Sequence, residues 1–230
     1  MDARRLESNW VELRTRVGEA ARRVGRDAEE VAIVAVTKRR SAEEVRALVA
    51  LGARDLGENY PQELWRKAEE MTDLDASWHL IGHLQSNKAR KTLPFVRFVH
   101  AVDSLKLLQT LNDLAQTVRL PPVCLQVNMS GEESKHGWSP RGILDDAEAV
   151  AACGRVPVVG LMTMAALGTD AVAARPTFAA LRVLKTDLQA RLGLKLDHLS
   201  MGMSNDFEAA IEEGATLVRV GSLIFEGVTP

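Results

Sequence analysis

The sequence predicts an α/β protein folded as one closed (β/α)8 barrel, and three observations carry that prediction. Short β-branched apolar runs alternate with longer segments of helical period almost to the end of the chain. Runs such as VAIVAV and VPVVGLM are apolar without interruption, which suits a parallel sheet buried on both faces; a half-exposed antiparallel strand would alternate with polar residues. Eight runs are present, at 31–38, 55–59, 78–85, 98–103, 123–129, 156–164, 198–204 and 217–225. Eight strands with crossover helices close a barrel, the runner-up being an open doubly wound sheet.

The helices between them carry readable punctuation. Residues 3–24 alternate charged and apolar groups as a long amphipathic helix. Ser41-Ala42-Glu43-Glu44 has capping-box spacing, with a stop at Gly52. Ser139-Pro140 puts a cap and a first-turn proline before GILDDAEAVAAC, and Asn205 with Glu208 opens a helix ending near Gly214. Five residues follow the last predicted strand, so the N-terminal helix is expected to cover the surface an eighth helix would take. No linker, repeat or low-complexity tract divides residues 1–230, which are read as a single domain.

Composition narrows the function. Of 230 residues, 46% are hydrophobic, and 29 Lys and Arg against 31 Asp and Glu leave a net charge of −2. That balance lacks the positive field that non-specific nucleic-acid binding uses, and the apolar fraction is not that of a disordered chain. Cys124 and Cys153 stand apart, with no zinc or disulfide spacing. No signal peptide or run of roughly 18 apolar residues is present, so a soluble cytoplasmic protein without membrane contact is expected.

In a barrel, the C-terminal strand ends line the site. The first run ends in Thr37-Lys38. A lysine ending an apolar strand is partly desolvated, which favours the free amine as a nucleophile toward aldehydes or ketones. The plainer reading is a solvated lysine starting the basic turn Lys38-Arg39-Arg40. The seventh and eighth runs end in SMGMS and RVGS, where glycine permits close backbone approach and serine adds a neutral anion donor; ordinary turn chemistry is the alternative.

Closure joins these clues, because strand one neighbours strand eight and so places Lys38 beside Gly221. A reactive lysine next to a phosphate cradle suits pyridoxal 5′-phosphate (PLP). Arg219, two residues before Gly221, shares its face of the strand and is expected to meet the pyridine nitrogen and keep it unprotonated. Asn59, at the end of run two before Tyr60, is either a partner of the ring oxygen or a helix cap. His79 and His83 are four apart on one side of a strand, but with no HExxH glutamate or third ligand no metal is expected. The loop holding Asn128, Lys135, His136 and Gly137 reads as solvated, with a lid or second ligand site as the alternative and Lys135 a second candidate amine. No GxGxxG, GxxxxGK[ST] or GxSxG is present.

These segments closely resemble a known family. HLIGHLQSNK and SMGMSNDFEAAIEEGATLVRVGS are the most specific pieces, joined by AVTKRRSAEEVRALVALGARDLGENYPQE, HAVDS, VNMSGEESKHGW and GLMTM. From about Val31 to Gly227 the chain is similar to the YggS/PROSC family of pyridoxal phosphate homeostasis proteins. The resemblance implies a barrel like the N-terminal domain of alanine racemase, with PLP held as a Schiff base on Lys38. It also implies phosphate contacts from Ser204, Gly221 and Ser222, and Arg219 at the pyridine nitrogen. Relatives often carry a proline after a second basic residue where this chain has Arg39-Arg40-Ser41, and Gly-Thr where it has Gly221-Ser222; serine retains the hydroxyl.

The implied role is that of a carrier acting in vitamin B6 balance, not an enzyme. The alternative is a PLP-dependent racemase or another enzyme of that fold type. A racemase needs an acid/base on the second cofactor face, usually a tyrosine supplied with a separate β domain. Here Tyr60 is the single tyrosine and the barrel consumes the chain. The expected partners are PLP and apo PLP-dependent enzymes as acceptors, with the protein a monomer.

Overall fold

A computed structural model describes residues 2–132 and 135–228. Eight parallel strands close into a barrel in sequence order, β1 pairing with both β2 and β8. They are β1 (Ala32–Val36), β2 (Asp55–Glu58), β3 (Ser77–Leu80), β4 (Phe98–Val102), β5 (Val123–Gln126), β6 (Val158–Met162), β7 (His198–Ser200) and β8 (Leu217–Val220). Each of the eight expected runs holds one strand, and the open-sheet alternative falls away. The strands are shorter than the runs at their C-terminal ends, where Thr37-Lys38, Asn59 and the glycine turns leave the ladder for the loops.

The helices are α1 (Ala3–Arg23), α2 (Ala42–Ala50), α3 (Pro61–Glu70), α4 (Ser86–Thr92), α5 (Leu105–Leu114), α6 (Pro140–Asp145), α7 (Ala147–Ala152), α8 (Ala171–Leu192) and α9 (Phe207–Glu212). Ser41 caps α2 in a full capping box with Glu44, and Ser139 caps α6 with Pro140 in its first turn, both as the sequence predicts. Two expectations change. GILDDAEAVAAC is broken at Asp146, whose ψ of 2° separates α6 from α7. α9 starts at Phe207 behind Asp206, whose carboxylate accepts from the Met203 N–H instead of capping the helix.

α1 fills the place of an eighth outer helix, packing against α2 and α9. Leu6, Trp10, Leu13 and Val17 are buried along one stripe, each worth roughly 1.5–3 kcal/mol in transfer from water. Asn9 Nδ2 donates to the carbonyls of Ile224 and Glu226, tying this helix to the segment after β8. Among the described residues no helix is long and apolar enough to cross a membrane.

Two layers of side chains result. The larger core lies between barrel and helices; a smaller one, including Val34, Val36, Ile81, Phe98, Cys124, Met162 and Leu217, fills the barrel interior. The interior also buries His79, His100, Ser200 and Arg219. Burying so many polar groups is costly unless they are paired.

Candidate cofactor site

Thr37 is held on three sides before the chain turns. Its N–H donates to the Gly57 carbonyl at 3.0 Å, its hydroxyl donates to Glu58 Oε1 at 2.7 Å, and its own carbonyl accepts from Lys67 Nζ at 2.7 Å. Lys67 also reaches Glu58 Oε1 at 2.6 Å, both side chains being at most 1% exposed. Arg39 then takes φ of +61°, a left-handed conformation rare outside glycine, which throws the chain sharply off the strand. Lys38 thus stands exposed in a turn fixed from below. Of the two readings the sequence left open, the structure shows the solvated lysine of the basic turn and not the desolvated strand-end one.

The turns after β7 and β8 meet beside it. The Gly221 N–H donates to Ser204 Oγ at 3.4 Å. A Cβ on Gly221 would sit 3.1 Å from Val36 Cβ and 3.2 Å from the Val36 carbonyl oxygen, so the backbone here lies directly against the end of β1. Val36 is two residues from Lys38, and Ser222 follows exposed at the mouth. Arg40 closes the same corner, its guanidinium 4.3 Å from the Phe225 ring centroid. The Ser204 and Gly221 turns therefore meet against the end of β1, two residues before Lys38 in the chain.

Gly202 shapes this corner too. It has φ of +92°, and a Cβ would come within 2.6 Å of Ala210 Cβ and 2.9 Å of Phe207 Cα. Gly202→Ala is expected to destabilise the protein by roughly 1–3 kcal/mol through overpacking and strain. Thermal melting reads this as a lowered Tm, and an unchanged Tm would show that the turn relaxes freely.

Arg219 lies in the barrel interior, 5% exposed. Nη1 donates to Ser200 Oγ at 2.7 Å and Nη2 to the Thr163 carbonyl at 3.0 Å. Burial pulls its pKa down to about 10, a fall that Asp206 and Cys124 oppose. Asp206, buried under the Gly202 turn, is pushed up by desolvation against the Met203 N–H and the charges of Arg219 and Lys135. Asn59 is half-buried at the end of β2 and is not a helix cap, since Tyr60 occupies the cap position of α3. The register Val36↔Gly57 puts Asn59 and Lys38 two residues beyond paired positions on neighbouring strands.

The remaining candidates separate. β3 ends at Leu80, so strand alternation does not carry through to His83. His79 faces the barrel interior, whereas His83 stands at the mouth with its Nδ1 2.5 Å from Asp103 Oδ2. His83, Asp103 and His136 bring their ligand atoms within 4.8 Å of one another. The two rings, however, stack at 4.8 Å with only 18° between planes, directing in-plane lone pairs side by side instead of onto one ion. The loop after β5 is anchored, not freely solvated: Gln126 Nε2 donates to the His136 carbonyl at 2.7 Å, and Asn128 Nδ2 to that of Glu132 at 2.8 Å. Lys135 pairs with Glu132 and donates to the Ala165 carbonyl. Glu133 and Ser134 of this loop lie outside the described residues.

Sequence reasoning missed the Glu58–Lys67 pair. A signal was present, because Leu64, Lys67, Ala68 and Met71 occupy one helical stripe and the lysine breaks its apolar character.

The chain has clear relatives. The profile of the alanine racemase N-terminal domain matches residues 1–229. A pyridoxal phosphate homeostasis protein of Pseudomonas aeruginosa is 45% identical over 222 residues, covering 96% of this chain and 94% of the relative. The solved structure of PipY from Synechococcus elongatus, with PLP bound, superposes with a TM-score of 0.84 at 36% identity, covering 96% of this chain and 99% of that one. Alanine racemase from Corynebacterium glutamicum shares the fold, with a TM-score of 0.72 at 16% identity, over 99% of this chain but 63% of its own. With its barrel, its strand-one lysine turn and its near full-length relatives, this chain belongs to the alanine racemase N-terminal domain family, alongside proteins named for pyridoxal phosphate homeostasis.

Proposed function

We propose that this protein binds PLP at the β1/β8 corner, carries it covalently on Lys38 as a Schiff base, and serves intracellular PLP homeostasis without enzymatic turnover. One observation carries the reading: the Gly221 N–H to Ser204 hydroxyl link sits against Val36, which sets anion donors beside the turn that presents Lys38. The residues present fit the group. The glycine backbone leaves room that a Cβ would fill, Ser204 and Ser222 add hydroxyls, and Arg219 is a buried donor two residues below Gly221. When bound, PLP supplies an aldehyde that condenses with an amine and releases one water.

Each residue then has a task. Ser204, Gly221 and Ser222 receive the phosphate, Lys38 supplies the amine, Arg219 donates to the pyridine nitrogen so that it stays unprotonated, and Asn59 faces the ring oxygen. An unprotonated ring is a weak electron sink, which suits storage better than amino-acid chemistry. Tyr60, the single tyrosine, is 61% exposed at the start of α3, a poor setting for a positioned acid/base. The near full-length match to homeostasis proteins supports the same role. Apo PLP-dependent enzymes are the acceptors in this scheme, and the free buried thiols of Cys124 and Cys153 suit a reducing cytoplasm.

The test is to load the protein with PLP, reduce with borohydride and map the label by mass spectrometry. One label on Lys38, with no measurable racemisation or transamination of amino acids, is expected. Label confined to Lys135, or turnover at ordinary enzymatic rates of about 1–1000 per second, would overturn the reading.

A further inference from the structure

A chain of polar contacts runs through the barrel interior from its floor to Arg219. At the floor, Asp55 opens β2 and lines a cavity of about 530 Å³ between α1 and the strand starts. Asp55 Oδ1 lies 2.9 Å from His79 Nε2. His79 Nδ1 lies 2.9 Å from His100 Nε2, and His100 Nδ1 lies 2.6 Å from Ser200 Oγ. Ser200 Oγ accepts from Arg219 Nη1 at 2.7 Å. His79, His100, Ser200 and Arg219 are all at most 5% exposed, and they come from β3, β4, β7 and β8. Phe98 stacks on His79 at 5.8 Å and 7°, walling the contacts off from water.

The two ends fix the direction. A guanidinium only donates and a carboxylate only accepts. With both imidazoles neutral, one proton arrangement satisfies every member: Ser200 O–H donates to His100 Nδ1, His100 Nε2–H to His79 Nδ1, and His79 Nε2–H to Asp55. Each proton points from Arg219 toward the floor. Burial holds His100 well below the ordinary imidazole range, helped by His79, Arg219 and His198, and so keeps its ring neutral. Ionisable groups near the chain include His198 on β7, Cys124 on β5 and Asp206 beside Arg219, and Arg14, Glu29 and Arg54 line the floor cavity with Asp55.

We propose that Asp55, His79, His100 and Ser200 are positioning residues that form a one-way hydrogen-bond relay, through which the barrel floor sets the guanidinium of Arg219 before the cofactor arrives. Its bearing on PLP rests on the reading that Arg219 meets the pyridine ring. The relay itself exists in the cofactor-free protein. Asp55 selects the tautomer of His79, His79 that of His100, and His100 commits the Ser200 proton, leaving the Ser200 oxygen to accept from Arg219. With Nη2 held by the Thr163 carbonyl, the guanidinium plane is fixed at two points, and its remaining N–H groups make no hydrogen bond among the described residues. The floor cavity thereby becomes a place from which the electronic environment of the far end is adjustable.

The test uses nitrogen-15 NMR of the full-length protein without PLP, where imidazole nitrogen shifts report each tautomer. Near neutral pH, both His79 and His100 are expected as neutral Nε2–H tautomers. An imidazolium at His79, or an Nδ1–H tautomer at His100, overturns the relay without any variant. In Asp55→Leu, where the acceptor is gone, the His79 proton is expected to redistribute toward Nδ1, with the His100 shifts and the Arg219 Nε resonance following. A change confined to His79 also overturns it, because a merely structural aspartate would move nothing beyond its own contact. PLP loading is scored separately: a relay found intact in a protein that takes no PLP refutes the proposed function alone.

Discussion

Lys38→Ala is expected to abolish covalent PLP attachment while leaving the barrel folded. The side chain is exposed and the turn is fixed through Thr37, so the substitution falls in the class of surface changes worth about 0.5 kcal/mol or less. Borohydride label should drop from one per chain to background, with melting temperature unchanged. Residual non-covalent binding is expected, because the Ser204, Gly221 and Ser222 donors remain and hydrogen bonds to a charged phosphate are worth about 1.5–3 kcal/mol each. That residual should vanish when Ser222→Ala is added and inorganic phosphate is present as competitor. Appearance of the full label on Lys135 in the Lys38→Ala protein would relocate the carrier amine. Lys135 lies within electrostatic reach of Asp206 under the same turns, so the outcome is a measurement and not a formality.

Strand existence and order were readable because uninterrupted apolar runs have few alternatives in a chain this size, and the Ser41 and Ser139 caps announced their helices through side-chain chemistry that acts within four residues. Strand ends were less readable: Thr37, Asn59 and Ser204 fall within the expected runs but beyond the ends of β1, β2 and β7, and only the ladder shows where pairing stops. The approach of the Gly221 turn to the end of β1 followed from closure, a topological fact. The exposure of Lys38 was one of two open readings, and the left-handed Arg39 that throws the chain off the strand decides for it. The interior relay was out of reach, since five strands contribute one polar residue each and nothing in their spacing along the chain announces a meeting. His79 was noticed for its spacing to His83, yet they part company at the end of β3.

The buried Glu58–Lys67 pair yields the largest expected loss of stability. Lys67→Met keeps the bulk of the side chain and removes the ammonium, leaving the Glu58 carboxylate in the interior without its charge partner. Breaking a buried pair from one side costs about 3–5 kcal/mol, which for a chain of this length is about 6–20 °C in Tm. Glu58 is poorly placed to absorb the loss, because its Oε2 already lacks a hydrogen-bond partner among the described residues. Adding Glu58→Gln removes the stranded charge, so the double variant should recover a large part of the lost stability; a double-mutant cycle by thermal or urea melting gives the coupling. A Lys67→Met protein melting within 2 °C of the parent would mean that the carboxylate is hydrated or neutral, against the burial seen here. The consequence reaches the site, because the same ammonium also holds the Thr37 carbonyl, one peptide before Lys38. With that hold gone, the strained turn at Arg39 has less to oppose it, and Lys38 should take up PLP more slowly even under conditions where the variant remains folded. On these expectations stability and reactivity are coupled through one buried lysine, while the lysine proposed to carry the cofactor contributes almost nothing to the fold.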